Sequence, residues 1–297
     1  MNITNYKFSG FATSDTQWNQ KEPKVDETNS NIKNQEVQEL LRLLACSELR
    51  NNLARALRNG KKMTLRELSE LVGASSPAAL HALRELGKEY MIEQDEKRNY
   101  SLTNIGEIVA RQFEEMNLSI TALSQNRDFW LDHDLGAIPE HLLDKISYLA
   151  DSFVLTSTPT DLFKTFSTFY TLLGNAKEIR GFSPFFVEDL TTQFVKLVAK
   201  GIDIELIFTP DVLDATLRTA DREELATALK KNLKIFKLEP ARNFASTVTD
   251  YFLSLAFFKL HETFDWSTML LSYSPKALQW GRELFAYYVE KAEPVIL

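Results

Sequence analysis

A chain of 297 residues, 44% hydrophobic and 25% charged, has the composition of an ordinary globular protein and room for about two domains. Its net charge of -7 excludes a protein that simply coats nucleic acid, because phosphate binding needs a positive surface. The single cysteine, Cys46, excludes an intrachain disulfide framework and a Cys-rich zinc site, and no run reaches the ~18 apolar residues of a spanning helix, so a cytoplasmic protein with no membrane partner is expected.

Residues 1–33 are rich in Asn, Thr, Ser, Asp and Lys without an apolar stretch and read as a disordered polar tail. Helical spacing then places one helix on Val37, Leu40, Leu41 and Leu44 and a second on Leu49, Leu53, Ala56 and Leu57, with Gly60 as the stop. Thr64 with Glu67 forms a capping box that starts a short helix through Val72, and Gly73 ends it. Ser75 is positioned to cap the next helix, with Pro77 in its first turn and Ala79, Leu83, Leu86 and Tyr90 on its buried face. Residues 91–94 and 99–102 flank the charged turn Asp95, Glu96, Lys97, Arg98 as a short hairpin. Thr103 then caps a helix whose apolar face carries Ile105, Ile108, Val109, Phe113 and Met116 and which runs towards Asn126.

Helix, glycine turn, capped helix and hairpin make a winged helix-turn-helix, so double-stranded DNA is the expected partner. Between Ser47 and Tyr100 ten basic residues stand against eight acidic ones, a local excess of two, while the rest of the chain carries -9. A locally basic module on an acidic body suits a regulator that meets DNA with one face. The second helix of the pair points His81, Arg84 and Lys88 away from its buried face. Arg84 suits a guanine edge, Ser75 and Ser76 suit phosphates at the helix start, and Lys97 and Arg98 suit the backbone or minor groove from the wing tip. The alternative is a protein-docking winged helix, an adaptor of the transcription machinery, in which Arg84 and Lys88 are a solvated face balanced by Glu85 and Glu89.

Beyond residue 170 the pattern alternates. Strand-like runs at 177–182, 202–208 and 233–238 are separated by helical stretches at 187–199 and 212–231, a β-α-β-α-β series. Residues 247–258 and 269–273 read as further strands, and Pro275 opens a last helix. The fold class is therefore α+β: a tail over 1–33, a winged helix over 34–116, a helical linker and dimer element over 117–170, and an α/β effector-sensing domain over 171–297.

Three segments are distinctive: FWLDHDLGAIPEHLLDKI at 129–146, TVTDYFLSLAFF at 247–258 and ALQWGRELFAYY at 277–288. On these the chain, from about Glu36 onwards, resembles the archaeal FilR-type methanogenesis regulators. The resemblance implies an ArsR-like winged helix joined to a regulatory domain, a homodimer, and an effector of unassigned identity. The β-α-β-α-β order is also similar to noncatalytic phospholipase-D-like sensor domains. The nucleophile motif of that superfamily's enzymes, His-x-Lys, is missing here, where Lys259-Leu260-His261 has the reverse order.

In an open α/β sheet ligands sit at carboxyl strand ends. A small-molecule effector is expected near Ser183 and Thr209, an anionic or phosphorylated metabolite with Arg180 or Arg242 as counter-charge, and Asp250 is expected to pair with one of those arginines. The competing reading makes Ser183-Pro184 and Thr209-Pro210 ordinary helix caps. Asp132, His133, Asp134 and His141 raise a metal site, but their spacing matches none, and capping or hydrogen-bonding roles serve them as well. Phe182, Phe185, Phe186, Tyr251, Phe252, Phe257 and Phe258 read as core. With no Ser/His/Asp or Cys/His arrangement, no Gly-rich phosphate loop and no H-E-x-x-H motif, neither an enzyme nor a cofactor is expected.

Overall fold

The computed structural model describes residues 38–239, 244–261 and 263–296, which form two compact units, the first ending at Glu107 and the second beginning at Ile108. The expected polar tail and Arg242 lie outside the described residues. Among those described, no helix is long and apolar enough to cross a membrane.

In the first unit, α1 (38–45) precedes α2 (Glu48–Ala56), β1 (Met63–Thr64), α3 (Leu65–Val72), α4 (Ser76–Lys88), β2 (Ile92–Gln94) and β3 (Asn99–Leu102). The capping box forms as its residues demand: Glu67 N–H donates to Thr64 Oγ1 at 3.3 Å and Thr64 N–H donates back to Glu67 Oε2 at 2.8 Å. Gly73 closes α3 in the left-handed conformation, φ +65°. Helices α2, α3 and α4 pack pairwise and bury Leu53, Leu57, Leu68, Leu83 and Leu86 almost completely, each contributing about 1.5–3 kcal/mol. Strands order as β1-β3-β2, so the hairpin is backed by a third strand too short for periodicity to reveal.

Two local expectations are corrected here. Ser75 occupies the N-cap of α4 but its hydroxyl makes no capping bond. Tyr90 is exposed rather than buried, because α4 ends at Lys88 and Tyr90 takes φ +55°, which hands the interior position to Met91.

Helix α5 (Asn104–Gln125) runs from the first unit into the second. Thr103 Oγ1 accepts from Gly106 N–H at 3.0 Å to start it. Its apolar residues divide between two faces: Ala110, Phe113 and Ala122 are buried, whereas Ile105, Ile108, Met116, Ile120 and Leu123 are exposed. The single face expected for Ile105, Ile108, Phe113 and Met116 is thus split.

The second unit continues with α6 (Arg127–Asp132), α7 (Glu140–Leu143), a 3-10 turn (Ile146–Leu149), β4 (Phe153–Thr156), α8 (Lys164–Gly174), β5 (Glu178–Ser183), α9 (Glu188–Ala199) and β6 (Asp203–Phe208). There follow α10 (Pro210–Thr219), α11 (Arg222–Leu229), β7 (Leu233–Lys237), β8 (Phe244–Thr249), β9 (Leu253–Phe257), β10 (Thr268–Ser272), α12 (Pro275–Val289) and β11 (Glu293–Pro294). One sheet takes the order β11-β7-β6-β5-β8-β9-β10-β4. Only β5, β6 and β7 run parallel, as the β-α-β-α-β reading requires, and β8 begins the antiparallel half beside β5. Alternation along the strands feeds two cores. One face packs α12 and the 129–150 segment around Phe244, Leu255, Phe257 and Trp280; the other packs α8 to α11 around Ile179, Leu206 and Leu271.

Residues 117–170, read as a linker, are therefore part of this unit: they supply strand β4 and much of the Trp280 core. Trp280 Nε1–H donates to Leu142 O at 2.9 Å and the Tyr288 hydroxyl donates to Ala137 O at 2.6 Å. Burial pushes that Tyr288 phenol up to about 12. The aromatic residues of 277–288 thus hold the 129–146 segment, which explains why the two segments are distinctive together.

The strand expected over 247–258 is a hairpin. Thr249 accepts at Oγ1 from Phe252 N–H at 3.0 Å and from Tyr251 N–H at 3.2 Å, a hydroxyl-built turn without Gly or Pro. The helix expected over 212–231 is broken at Ala220, which is extended (ψ 145°), and Asp221 Oδ1 accepts from Glu223 N–H at 2.9 Å to start α11.

Candidate nucleic-acid interface and sheet cavity

On the first unit, α4 turns Ala79, Ala82, Leu83 and Leu86 inwards, and the 3.6-residue period leaves Ser75, Ser76, Pro77, His81, Arg84 and Lys88 exposed. Arg84 has no ion-pair or hydrogen-bond partner among the described residues, whereas Lys88 Nζ is held 2.7 Å from Glu85 Oε1. Of the two cations on this face, then, one is free and one is balanced by a neighbour. At the wing, Asp95 accepts from the backbone N–H of Lys97 at 2.9 Å and of Asn99 at 2.8 Å. The Asn99 bond above all holds its carboxyl below the ordinary carboxylate range, against the opposing effect of burial. This Asx-type turn, with Arg98 at φ +63°, presents Lys97 and Arg98 at an exposed tip.

The second unit contains a cavity on the α8–α10 face of the sheet, beside the carboxyl ends of β5 and β6 and at the junction between the parallel and antiparallel strands. Its volume is about 130 Å³. The cavity exists because the sheet presents small residues there: Gly181 on β5, Ala245 and Thr247 on β8, Ser254 and Ala256 on β9. Phe166, Phe169 and Phe194 wall it from α8 and α9, and Phe208 closes the end of β6. At the mouth, the Phe185 ring lies 4.1 Å from Phe264 and 4.6 Å from Trp266, measured between centroids.

Among the described residues one charged side chain lines the cavity, that of Asp265. Its Oδ1 accepts from Ser267 N–H at 2.9 Å and from the Ser267 hydroxyl at 2.5 Å, and its Oδ2 accepts from Thr268 Oγ1 at 2.8 Å. Lys259 Nζ approaches Oδ2 to 3.7 Å from solvent, and His133 Nε2 to 3.3 Å from the interior. Burial alone would raise the Asp265 carboxyl, but the Ser267 and Thr268 bonds and the Lys259 charge outweigh it and hold the group below the ordinary carboxylate range. The sequence offered no signal for Asp265, which lies between two aromatic residues in a loop. The small residues on alternate positions of β5, β8 and β9 were a usable signal for a cavity floor, since a sheet face covered by helices normally carries large side chains there.

Of the residues expected at an effector site, Ser183 alone among those described lines the cavity, and its hydroxyl donates to Phe185 O at 2.9 Å. Arg180 alternates to the other face of β5 and pairs with Glu178 at 3.1 Å. Thr209 is the N-cap of α10, again without a side-chain capping bond. Asp250 sits in the β8–β9 turn and accepts from Lys177 N–H at 2.8 Å, so its expected pairing with Arg180 is replaced by a backbone bond. Among the described residues no Lys, Arg or His lines the cavity, and the neighbouring helices begin with Glu188, Asp189 and Asp211; of the two arginines expected as counter-charge, Arg180 points away and Arg242 lies outside the described residues.

The four residues considered for a metal part company. Asp134 Oδ1 accepts from Gly136 N–H, His133 faces Asp265, and the His141 ring lies 5.6 Å from Tyr287. Among the described residues no group of three or more His, Cys, Asp or Glu is placed to hold a metal ion. Of the aromatic residues read as core, Phe252 and Phe257 are fully buried, while Phe185 and Phe186 line the cavity.

Two family models match the chain: the N-terminal domain of methanogenesis regulatory protein FilR1 over residues 38–121 and its middle domain over 162–291. The methanogenesis regulatory protein FilR1 of Methanothrix harundinacea (strain 6Ac) is 25% identical over 256 residues, 85% of this chain, which spans 57% of that relative's length. Among solved structures, TrmBL2, an archaeal chromatin protein with a novel mode of DNA binding, is 17% identical over 89% of this chain and all of its own, with a TM-score of 0.40. A phosphatidylserine synthase of Haemophilus influenzae Rd KW20 is 12% identical over 67% of this chain and 56% of its own, with a TM-score of 0.34. Both structural likenesses are too loose to assign a function. The two domain matches together take in most of the chain, which belongs to the family of the methanogenesis regulatory protein FilR1.

Proposed function

We propose that this chain is a DNA-binding transcriptional regulator that acts as a homodimer and whose second unit senses a small molecule. The observation that carries the first part is the exposed face of α4, where Arg84 stands without a partner among the described residues beside His81 and the serine-rich helix start. A bidentate arginine on a guanine edge is worth about 1–3 kcal/mol of base discrimination. Lys97 and Arg98 on the wing supply backbone or minor-groove contacts that position without specifying. The regulatory role named for the family agrees with this reading.

The dimer is supported by the exposed apolar side chains Met116, Ile120 and Leu123 on α5, at four- and three-residue spacing, with Ile108 two turns before them on the same side. A row of four large apolar side chains on one helix face is self-complementary about a two-fold axis, so the occupant proposed is a second copy of α5. Sensing is supported by the cavity at the sheet's switch point. The similarity of this unit to noncatalytic phospholipase-D-like sensors and the ArsR-like character of the winged helix belong to the same proposal; the former rests on the order of β5, β6 and β7, the latter on the helix-turn-helix and wing.

A gel-shift with DNA from upstream of the chain's own operon tests the reading. Salt-sensitive binding that weakens on Arg84→Ala supports it. Absence of salt-sensitive binding to any fragment favours the second reading, an adaptor that docks proteins, for which the Lys88–Glu85 pair on α4 and the Arg66–Glu70 pair on α3 speak, since each neutralises a cation.

A further inference from the structure

We infer that the sheet cavity takes an apolar, ring-sized molecule without negative charge, one that offers a hydrogen-bond donor or a cation to Asp265 and a polar group to Thr247 and Ser254. The inference rests on the reading of the second unit as a sensor and names the chemistry of what it senses.

Size comes first. A cavity of about 130 Å³ is close to the ~150 Å³ of an engineered apolar cavity that stays dry and binds benzene. A single six-membered ring with a short substituent fits; a nucleotide does not. The walls are aromatic, with Phe166, Phe169, Phe194 and Phe208 around the interior and Trp266 at the mouth, surfaces that reward a flat apolar body or a cation on a ring face.

The polar groups then fix the sign of the charge. Asp265, 6% exposed, is the one charged residue among the described residues of the lining, and the hydrogen bonds it accepts favour its ionised form. A ligand anion would meet a like charge in a water-poor site and find no cation among the described lining residues. The floor carries a second polar feature. Thr247 and Ser254 are paired across β8 and β9, are 8% and 4% exposed, and line the cavity with hydroxyls that have no hydrogen-bond partner among the described residues. Both hydroxyls face the cavity, where they can donate to or accept from a polar group of a ligand lying on the floor. Selection against negative charge by Asp265 and capture of a hydroxyl or amine by the Thr247–Ser254 pair define one class: small neutral or cationic aromatic molecules.

The test is calorimetric titration of the full chain with three probes that share a ring and differ in charge: 2-phenylethanol, 2-phenylethylamine and phenylacetate. The alcohol and the amine should bind with about millimolar dissociation constants, as ligands of so few atoms do. Phenylacetate should bind about tenfold more weakly or not at all. Ala256→Leu, which fills the floor and leaves the carboxylate in place, should abolish binding of all three. Asp265→Asn should remove the discrimination against phenylacetate. Because Asp265 has several protein partners, melting curves of each variant accompany the titrations, and Ala256→Leu carries the test by itself if the asparagine variant does not fold. Phenylacetate binding as tightly as the alcohol, binding that survives Ala256→Leu, or no binding of any probe overturns the inference. Selective binding of the alcohol and amine that leaves DNA affinity unchanged upholds this ligand class and removes the sensor reading on which it rests.

Discussion

His133 Nε2 faces Asp265 Oδ2 at 3.3 Å, with both side chains more than nine-tenths buried. The approach lacks the alignment of a hydrogen bond. The other ring nitrogen, Nδ1, lies 2.6 Å from Phe129 O, so both nitrogens of one imidazole point at oxygens. Removing one partner of such a buried pair leaves the other uncompensated.

A pH dependence follows from Asp265. Its folded carboxyl is held below the ordinary value. A group depressed on folding stabilises the fold fully above its unfolded value of about 3.9, and this stabilisation is lost as pH falls through the lower folded value. Asp265→Asn should therefore lower the melting temperature at neutral pH, and its deficit against the unaltered protein should shrink as pH is taken below about 4. Melting curves recorded across that range check the sign; a deficit that stays constant with pH contradicts it.

Gly106 lies under the Met91 carbonyl, where a Cβ would come 1.8 Å from the oxygen. The same carbonyl accepts from Thr103 N–H at 3.0 Å, which pins the end of the wing to the start of α5. Backbone cannot yield as a flexible side chain can. Gly106→Ala should cost about 3 kcal/mol or more, read by denaturant unfolding, while Gly87→Ala, whose Cβ would meet nothing closer than 3.9 Å, should cost under about 1 kcal/mol.

If α5 pairs with its copy, a carboxylate in the middle of the apolar stripe must be buried in the dimer. Ile120→Glu should convert dimer to monomer in sedimentation equilibrium with little change in melting of the separated chain, since Ile120 is 53% exposed. DNA affinity should fall with it, because two half-sites are then engaged independently.

The elements that were legible in the sequence announce themselves locally. The Thr64–Glu67 box, Gly73, the charged wing turn and the parallel strands β5, β6 and β7 each carry a capping, turn or periodicity signal, and these place the candidate DNA face to within a residue or two. What was not legible depends on partners distant in the chain. The β8–β9 turn is built by the Thr249 hydroxyl instead of Gly or Pro, so 247–258 reads as one strand. Arg180 is turned from the cavity by strand alternation once its neighbours are set by β6 and β8, and Asp265 becomes part of the cavity wall through contacts to Lys259 and His133. A cavity arises where several strands place small residues side by side, and that coincidence is fixed by sheet order, not by any one segment.

The wing and the recognition helix should separate in their effects on DNA. Arg84→Ala should cost about 1–3 kcal/mol on the preferred sequence and relax discrimination at one base position. Lys88→Ala should cost less, because Glu85 already holds that ammonium at 2.7 Å. Competition binding against single-base operator variants checks both.

The central claim is that the first unit binds duplex DNA with its α4 face and wing, and the salt dependence of binding tests it most directly. Fluorescence anisotropy of a labelled upstream fragment, titrated with the full chain at several salt concentrations, should give a linear fall of log affinity with log salt. Replacing Lys97 and Arg98 together by Ala should reduce the magnitude of that slope by about two and weaken binding to all sequences alike. An affinity independent of salt, or a slope unchanged in the double variant, would contradict the account.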